Sequence, residues 1–500
     1  MDTLTHIYNG FSVALLPINL WYTFLGVLMG TIIGILPGIG PAAGIALLIP
    51  VTFGMDPTSA LIMMAGIFYG TKYGGSTTAI LIRTPGEAAS VMTSIDGYEM
   101  AKKGRAGAAL AVSAIGSFIA GTLGVIALTL FAVPLSSVAL KFGPAEYFTL
   151  MFFAMTAVSS LSGRSPAKGL LSMMLGLMIA TIGIDLQSGQ PRFAMGMPEF
   201  QDGVGFIVVV VGLFALAEVL RGLEHIQRGT AAQIIQLSGR LWLTREEWRR
   251  SVAPIFRGGI IGFVIGVLPG AGGTIASILS YTTEKRLSRH PEEFGHGAIE
   301  GVAGPEAANN SDTAGAMVPL LTLGVPGGGA TAVLMGAFIM YGIQPGPLLF
   351  EKRPDLVWGL IDSMYIGNLM LLVLNLPLIG LFVRLLYIPG GILHPLIVAI
   401  SVIGAFAISG STLDLYLILF FGVVGYLFEK VDIPVAPLVL ALVLGGIMEQ
   451  SFRQAMTISD GDPSVFVKSG ICITLVALSA ISLAAPFLMD LFKRRQASVS

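Results

Sequence analysis

The chain has 500 residues, 54% of them hydrophobic and 11% charged, with a mean hydropathy of +0.83. Globular proteins carry about 25% charged residues, so this chain cannot cover a water-facing surface of its size, and its solvent is mostly lipid. A single cysteine, Cys472, excludes an intrachain disulfide and a Cys-rich zinc site, a net charge of −1 gives no case for nucleic acid, and no GxxxxGK[ST] stretch exists for ATP hydrolysis.

No lysine or arginine precedes Lys72, and Thr3 to Met55 contain no Asp, Glu, Lys or Arg. A cleavable signal needs a basic start, so the first apolar segment reads as a permanent span. Crossing a ~30 Å hydrocarbon core takes about 20 apolar residues. Such runs lie near 11–36, 107–133, 145–162, 167–184, 203–220, 254–268, 363–388, 392–409, 412–429, 433–449 and 469–490. Shorter apolar pieces at 42–55, 58–71, 76–84, 272–283 and 313–325 do not reach across alone. The fold class is therefore an all-α integral membrane protein with about ten to twelve transmembrane helices. It divides into a first transmembrane repeat with its N-terminal span (1–220), a basic linker (221–251), a second repeat (252–449), and a final span with a basic tail (450–500). The linker carries Arg221, Arg228, Arg240, Arg245, Arg249 and Arg250, and the tail Lys493 to Arg495. This bias places both in the cytoplasm, and the linker reads as a solvated surface helix.

Glycine and proline cluster where the apolar runs break, as GILPGIG (34–40), RTPGE (83–87), GVLPGAGG (266–273) and GVPGGG (324–329). Both residues interrupt helices, and broken backbone at membrane depth survives only when buried in protein or lining a wet cavity. The breaks recur. Gly34 to Gly38 match Gly266 to Gly270 at an offset of 266 − 34 = 232, and Gly74 to Gly86 match Gly315 to Gly327 at 315 − 74 = 241. The duplication covers roughly 34–220 and 266–449, with 241 − 232 = 9 extra residues in the second copy. The first span starts outside and its counterpart starts from the cytoplasmic linker, so equivalent segments run in opposite directions. An inverted-topology repeat with discontinuous helices or hairpins places a solute site near the midplane, with Pro37 and Pro269 facing across it. Half-helix N-termini favour an anion there, and a carboxylate is the natural guest.

The candidate substrate-binding residues follow from that geometry. Gly38 and Gly40 in the first break pair with Gly270 and Gly272 in its counterpart. Gly74, Gly75, Ser76, Thr77 and Thr78, then Pro85 and Gly86, combine hydroxyl donors with closely approachable backbone. Lys72, in strongly apolar sequence, either marks a pathway or snorkels to an interface. In the second copy Asn309 and Asn310, then Pro326 and Gly327, complete the set. Pro305 and Glu306 read as a helix start. Asn310, Ser311 and Asp312 with unwound carbonyls suit a coupling cation, sodium being the one metal ion in question, although capping alone could also account for the cluster. Asp185 and Asp432 read as loop ends, and Glu218 as a partner of the basic linker. The dinucleotide-like GIGPAA (38–43) follows a membrane span instead of a strand and carries no nicotinamide cofactor.

Five motifs in order, GILPGIGP, YGGSTTAILIRTPGE, GVLPGAGG, PEAANN and PLLTLGVPG, resemble the large membrane subunit of the tripartite tricarboxylate transporters across about residues 20 to 490. The resemblance implies a multi-pass permease of the bacterial inner membrane working with a small membrane subunit and a periplasmic solute-binding protein. It also implies uptake of citrate-like carboxylates driven by an ion gradient, sodium or proton, without a cofactor. An inside-negative potential opposes anion import by about 2.3 kcal/mol per charge per 100 mV, which makes a co-transported cation close to obligatory. The competing classes are a passive anion channel, which does not require paired breaks, and a membrane-embedded enzyme, whose aspartyl protease form would need a GxGD stretch that is missing.

Overall fold

The computed structural model describes residues 3–36, 38–161, 165–185, 188–227, 235–237, 239–388, 390–409 and 411–497. The first half contains α1 (Thr3–Ala14), α2 (Pro17–Gly34), α3 (Gly40–Leu48), α4 (Pro57–Ile82), α5 (Val91–Met100), α6 (Ala106–Ala139), α7 (Pro144–Leu161) and α8 (Pro166–Ala180). A hairpin of β1 (Gly183–Ile184) against β2 (Pro191–Arg192) then leads to α9 (Phe206–Val210) and, through a π-helical turn, to α10 (Ala217–Gln227). The second half contains α11 (Arg245–Val267), α12 (Gly272–Leu287), α13 (Glu300–Leu323), α14 (Gly329–Met340), α15 (Pro347–Lys352), α16 (Pro354–Asn375), α17 (Ile379–Val383), α18 (Gly390–Ser409), α19 (Thr412–Lys430), α20 (Ala436–Ile458) and α21 (Gly470–Ala497). The hairpin is the departure from an all-α chain among the described residues.

Among the described residues, seven helical stretches are long and apolar enough to cross a membrane, against the ten to twelve expected. The long central helices α4 and α13 are not among the seven, and both carry polar and charged residues along their length. Where the sequence suggests separate pieces at 58–71 and 76–84, α4 is one helix of 26 residues. Likewise α13 runs unbroken for 24 residues through Pro305 and Asn309 to Asp312, so Pro305 does not start a helix and no unwound carbonyls lie there. At about 1.5 Å per residue the two helices extend about 39 and 36 Å. Every residue from Ser59 to Leu81 and from Glu300 to Thr322 is buried. Protein surrounds these helices on all sides, so their polar groups face protein and never lipid. Lipid-facing side chains lie on the outer helices instead, for example Leu130, Ile260, Leu369 and Phe420.

The helix breaks fall at the four Gly/Pro clusters, between α2 and α3, α4 and α5, α11 and α12, and α13 and α14. Pro37 lies outside the described residues. Backbone angles repeat between the copies. Gly38 and Gly40 have φ +87° and +60°, and Gly270 and Gly272 have φ +83° and +61°. Arg83 (φ +57°) ends α4 just as Gly324 (φ +69°) ends α13, at the offset 324 − 83 = 241.

Packing repeats too. A Cβ added to Gly26, Gly30 or Gly34 of α2 would run into the backbone of Met63, Ile67 or Thr71 on α4. Gly258, Gly262 and Gly266 of α11 meet Gly304, Ala308 and Asp312 on α13 in the same way. Small residues every fourth position let two backbones touch, and rising numbers on both sides mean that each pair runs parallel. The separations are 63 − 26 = 37 and 304 − 258 = 46, so the second unit holds the nine additional residues that the sequence offsets give. In each unit a short returning segment, α3 or α12, lies between the parallel pair.

The linker differs from expectation. Its ends extend α10 and α11, whereas the described residues between them, 235–237 and 239–244, are not helical, and Gly239 has φ +83°. Arg228 lies outside the described residues. Glu218 does pair with Arg221, and Asp185 is bound by Arg453 at 2.8 Å.

Candidate functional site

Lys72 sits in the middle of α4, 4% exposed. Its ammonium donates to Asn309 Oδ1 at 2.9 Å and lies 3.3 Å from Glu87 Oε2 and 3.7 Å from Asp312 Oδ2. Asn309 bridges the cluster, since its Nδ2 donates to Glu87 Oε1 at 2.7 Å. One helical turn along α4, the Ser76 hydroxyl donates to Glu306, which also accepts from Thr93 of α5. As the contacts climb from Lys72 to Ser76 they descend from Asp312 and Asn309 to Glu306, so α4 and α13 run antiparallel where they meet.

Two short helices border this cluster with their N-terminal glycines. A Cβ at Gly40 of α3 would come 3.9 Å from Glu87 Cβ. At Gly273 of α12 it would lie 2.8 Å from Lys72 Nζ, 2.9 Å from Asn309 Oδ1 and 3.0 Å from Asp312 Oδ2. The first break of each copy thus abuts one polar centre, and Gly75 of α4 joins it within 3.2 Å of Glu87 Cγ by the same construction.

The other sequence candidates serve several purposes. Gly74 packs on α2, where a Cβ would strike Thr31 and Ile35. Thr77 is buried, and Thr78 donates to the Gly75 carbonyl at 3.0 Å. Pro85 is half-buried in the turn after α4, while Gly86 donates its N–H to Gly75 O at 3.3 Å. Gly270 donates to Gly327 O at 2.8 Å, Pro326 is buried beside it, and Gly272 faces open space. Gly38 is set apart. It lies against Arg221, in a cavity of about 500 Å³ where Glu218 and Glu429 already pair with that arginine.

Asn310, Ser311 and Asp312 are successive residues of a continuous helix and so point about 100° apart. Asn310 Nδ2 donates to Ser117 Oγ of α6 at 2.6 Å, and Ser311 Oγ also faces α6, at Gly124. Asp312 faces Lys72 instead. Asn310 Oδ1, Ser311 Oγ, Asp312 Oδ1 and Thr313 Oγ1 are buried without a hydrogen-bond partner.

One ammonium thus faces two carboxylates, those of Glu87 and Asp312, and a third, that of Glu306, lies buried one helical turn away, a setting in which negative charge exceeds positive. Sequence reasoning does not single out Glu87 inside RTPGE, nor Thr93 or Gly273. The recurring Gly26/Gly30/Gly34 and Gly258/Gly262/Gly266 spacing is the signal in the sequence that α2 and α11 press against central helices.

The chain is 47% identical over 496 residues to an uncharacterized 52.8 kDa protein in the TAR-I ttuC' 3' region of Agrobacterium vitis, covering 99% of this chain and 98% of that one. It is also 47% identical over 234 residues to an uncharacterized protein in the TAR-II ttuC' 3' region of the same organism, covering 47% of this chain and 97% of that one. No solved structure matches. The profile of the tripartite tricarboxylate transporter TctA family matches residues 20–440, and the chain belongs to that family, a multi-pass membrane protein of a transport system.

Proposed function

We propose that this chain is the permease subunit of a secondary transporter that imports a tricarboxylate or related carboxylate across a bacterial inner membrane, coupled to a cation gradient. Membership of the tripartite family supports a small membrane subunit and a periplasmic binding protein as partners. The observation that carries the reading is the buried centre where α4 and α13 cross antiparallel, bordered by the N-terminal ends of α3 and α12. Equivalent helices of two copies crossing in opposite senses fit an inverted-topology repeat, in which the site lies between the copies. The centre holds one ammonium for a carboxylate and surplus carboxylates for a cation, the two charges that symport must bring together.

The reading is tested by uptake of radiolabelled citrate and succinate into proteoliposomes that contain the chain with its two partners. Accumulation above equilibrium under a sodium or proton gradient supports it. Uptake that stops at equilibrium under every gradient indicates a pore, and no uptake of any carboxylate refutes the substrate class.

A further inference from the structure

Among the described residues, Lys72 is the one lysine or arginine buried as completely as a core residue. Three oxygens surround its ammonium: Asn309 Oδ1 at 2.9 Å, Glu87 Oε2 at 3.3 Å and Asp312 Oδ2 at 3.7 Å. Two carboxylates and an amide carbonyl are donors that a hard metal cation accepts. The amide oxygen is too weakly basic to hold a proton, so the set suits sodium better than hydrogen ion. Two further observations bear on a ligand. Gly273 brings the α12 backbone so close to the cluster that a Cβ there would stand 2.8 Å from Lys72 Nζ, 2.9 Å from Asn309 Oδ1 and 3.0 Å from Asp312 Oδ2, nearer than a methyl group can sit, so glycine is what leaves these three polar ends undisplaced. Asp312 Oδ1, on a side chain 4% exposed, has no partner.

We propose that Lys72 is a tethered occupant of a sodium site. Sodium replaces its ammonium among Glu87, Asn309 and Asp312, and the displaced ammonium turns to a substrate carboxylate. Held as it is, the ammonium is neutralised and offers a carboxylate little. Released by sodium, it carries a free positive charge beside the open space at Gly272. Each ligand thereby prepares the site for the other, which is reciprocal coupling between two sites. The carboxylate half of this exchange rests on the transporter reading above, whereas the sodium half does not.

The test uses the full-length chain in lipid nanodiscs and radiolabelled sodium as the probe. Wild type binds sodium weakly alone and more tightly with citrate or succinate present. Lys72→Gln binds sodium about tenfold more tightly without any carboxylate, and adding one changes nothing further. Sodium affinity in Lys72→Gln no higher than in wild type overturns the proposal. A gain in Lys72→Gln with no effect of citrate or succinate on wild type upholds the sodium site and removes the carboxylate half together with the transporter reading. Should Lys72→Gln not fold, Gly273→Ala decides, because it keeps every charge and presses a methyl group against Lys72 Nζ, Asn309 Oδ1 and Asp312 Oδ2, displacing the sodium donors. Wild type then gains thermal stability in sodium chloride over choline chloride and Gly273→Ala does not; an equal gain in both overturns the proposal.

Discussion

The α2–α4 and α11–α13 units share a skeleton and differ in chemistry. Gly26, Gly30 and Gly34 sit on Met63, Ile67 and Thr71, and Gly258, Gly262 and Gly266 sit on Gly304, Ala308 and Asp312, in one register. Gly86 rests on Gly34 and Gly75 just as Gly327 rests on Gly266 and Ala316. The charges, by contrast, have no counterparts. At the offset of 241, Lys72 corresponds to Thr313, Glu306 to Ala65, Asn309 to Phe68 and Asp312 to Thr71. Packing was duplicated and polarity was then divided, the ammonium of Lys72 and the carboxylate of Glu87 going to the first unit and Glu306, Asn309 and Asp312 to α13. Lys72 also reaches Asp312, and Ser76 and Thr93 bind Glu306, so the centre is complete only where the two units meet.

The hardest way to break this comparison is at the shared skeleton. Gly30→Leu and Gly262→Leu each drive a side chain into an opposing backbone that cannot retreat, with an expected cost of about 3 kcal/mol or more. Both variants should lose the monodisperse peak in detergent size-exclusion chromatography, and to a similar extent. One tolerated and one lethal substitution would show that the two contacts are not equivalent.

The second unit alone carries the extra residues, and cutting their anchor should have the next largest effect. Asp96 of α5 accepts from the N–H groups of Gly295 and Gly297 at 2.8 Å and of Ala298 at 3.0 Å, and from Tyr281 Oη at 2.8 Å. Asp96→Ala leaves these donors unpaired in a buried place and should cost about 2–3 kcal/mol. Hydrogen exchange should rise across 288–299 and stay unchanged at 53–56, the shorter counterpart. Uniform loss of protection would mean that Asp96 supports the whole unit.

Much of this architecture is legible in the sequence, because Gly and Pro act locally. Four clusters name four breaks, and two offsets give the duplication together with its nine extra residues. The continuity of α4 and α13 is not legible. Hydropathy asks whether a helix suits lipid, and these helices touch only protein, so Lys72, Glu306, Asn309 and Asp312 look like interruptions. Ser76 and Asn309 stand out as polar groups in apolar sequence, although their partners Glu306 and Glu87 lie 230 and 222 residues away and no local pattern reveals them. Gly74 and Gly86 read as binding residues in the sequence and pack against neighbouring backbone in the structure, two roles that look alike in sequence because both call for a missing side chain.

The two central helices also start differently, which gives two smaller tests. Asp56 caps α4 by accepting from Thr58 N at 3.0 Å and Ser59 N at 3.2 Å, so Asp56→Ala should cost about 1 kcal/mol. The N-cap position of α13, Ile299, offers no side chain to cap it; there Arg250 ties Glu300 at the helix start to Glu293 in the preceding turn. The Arg250 guanidinium holds the Glu293 carboxyl below the usual carboxylate range. A lowered folded value stabilises the protein above the unfolded value, near about 4.3, and that contribution disappears as pH falls through the lowered one. Glu293→Gln should therefore lower the melting temperature slightly at pH 7 and reduce the difference between pH 7 and pH 3. The pair is partly solvated, so the effect should shrink at high salt. An Asp56→Ala variant measured beside it should show no such salt dependence if neutral amide donors dominate that cap, and a salt response of equal size in both would erase the distinction between the two helix starts.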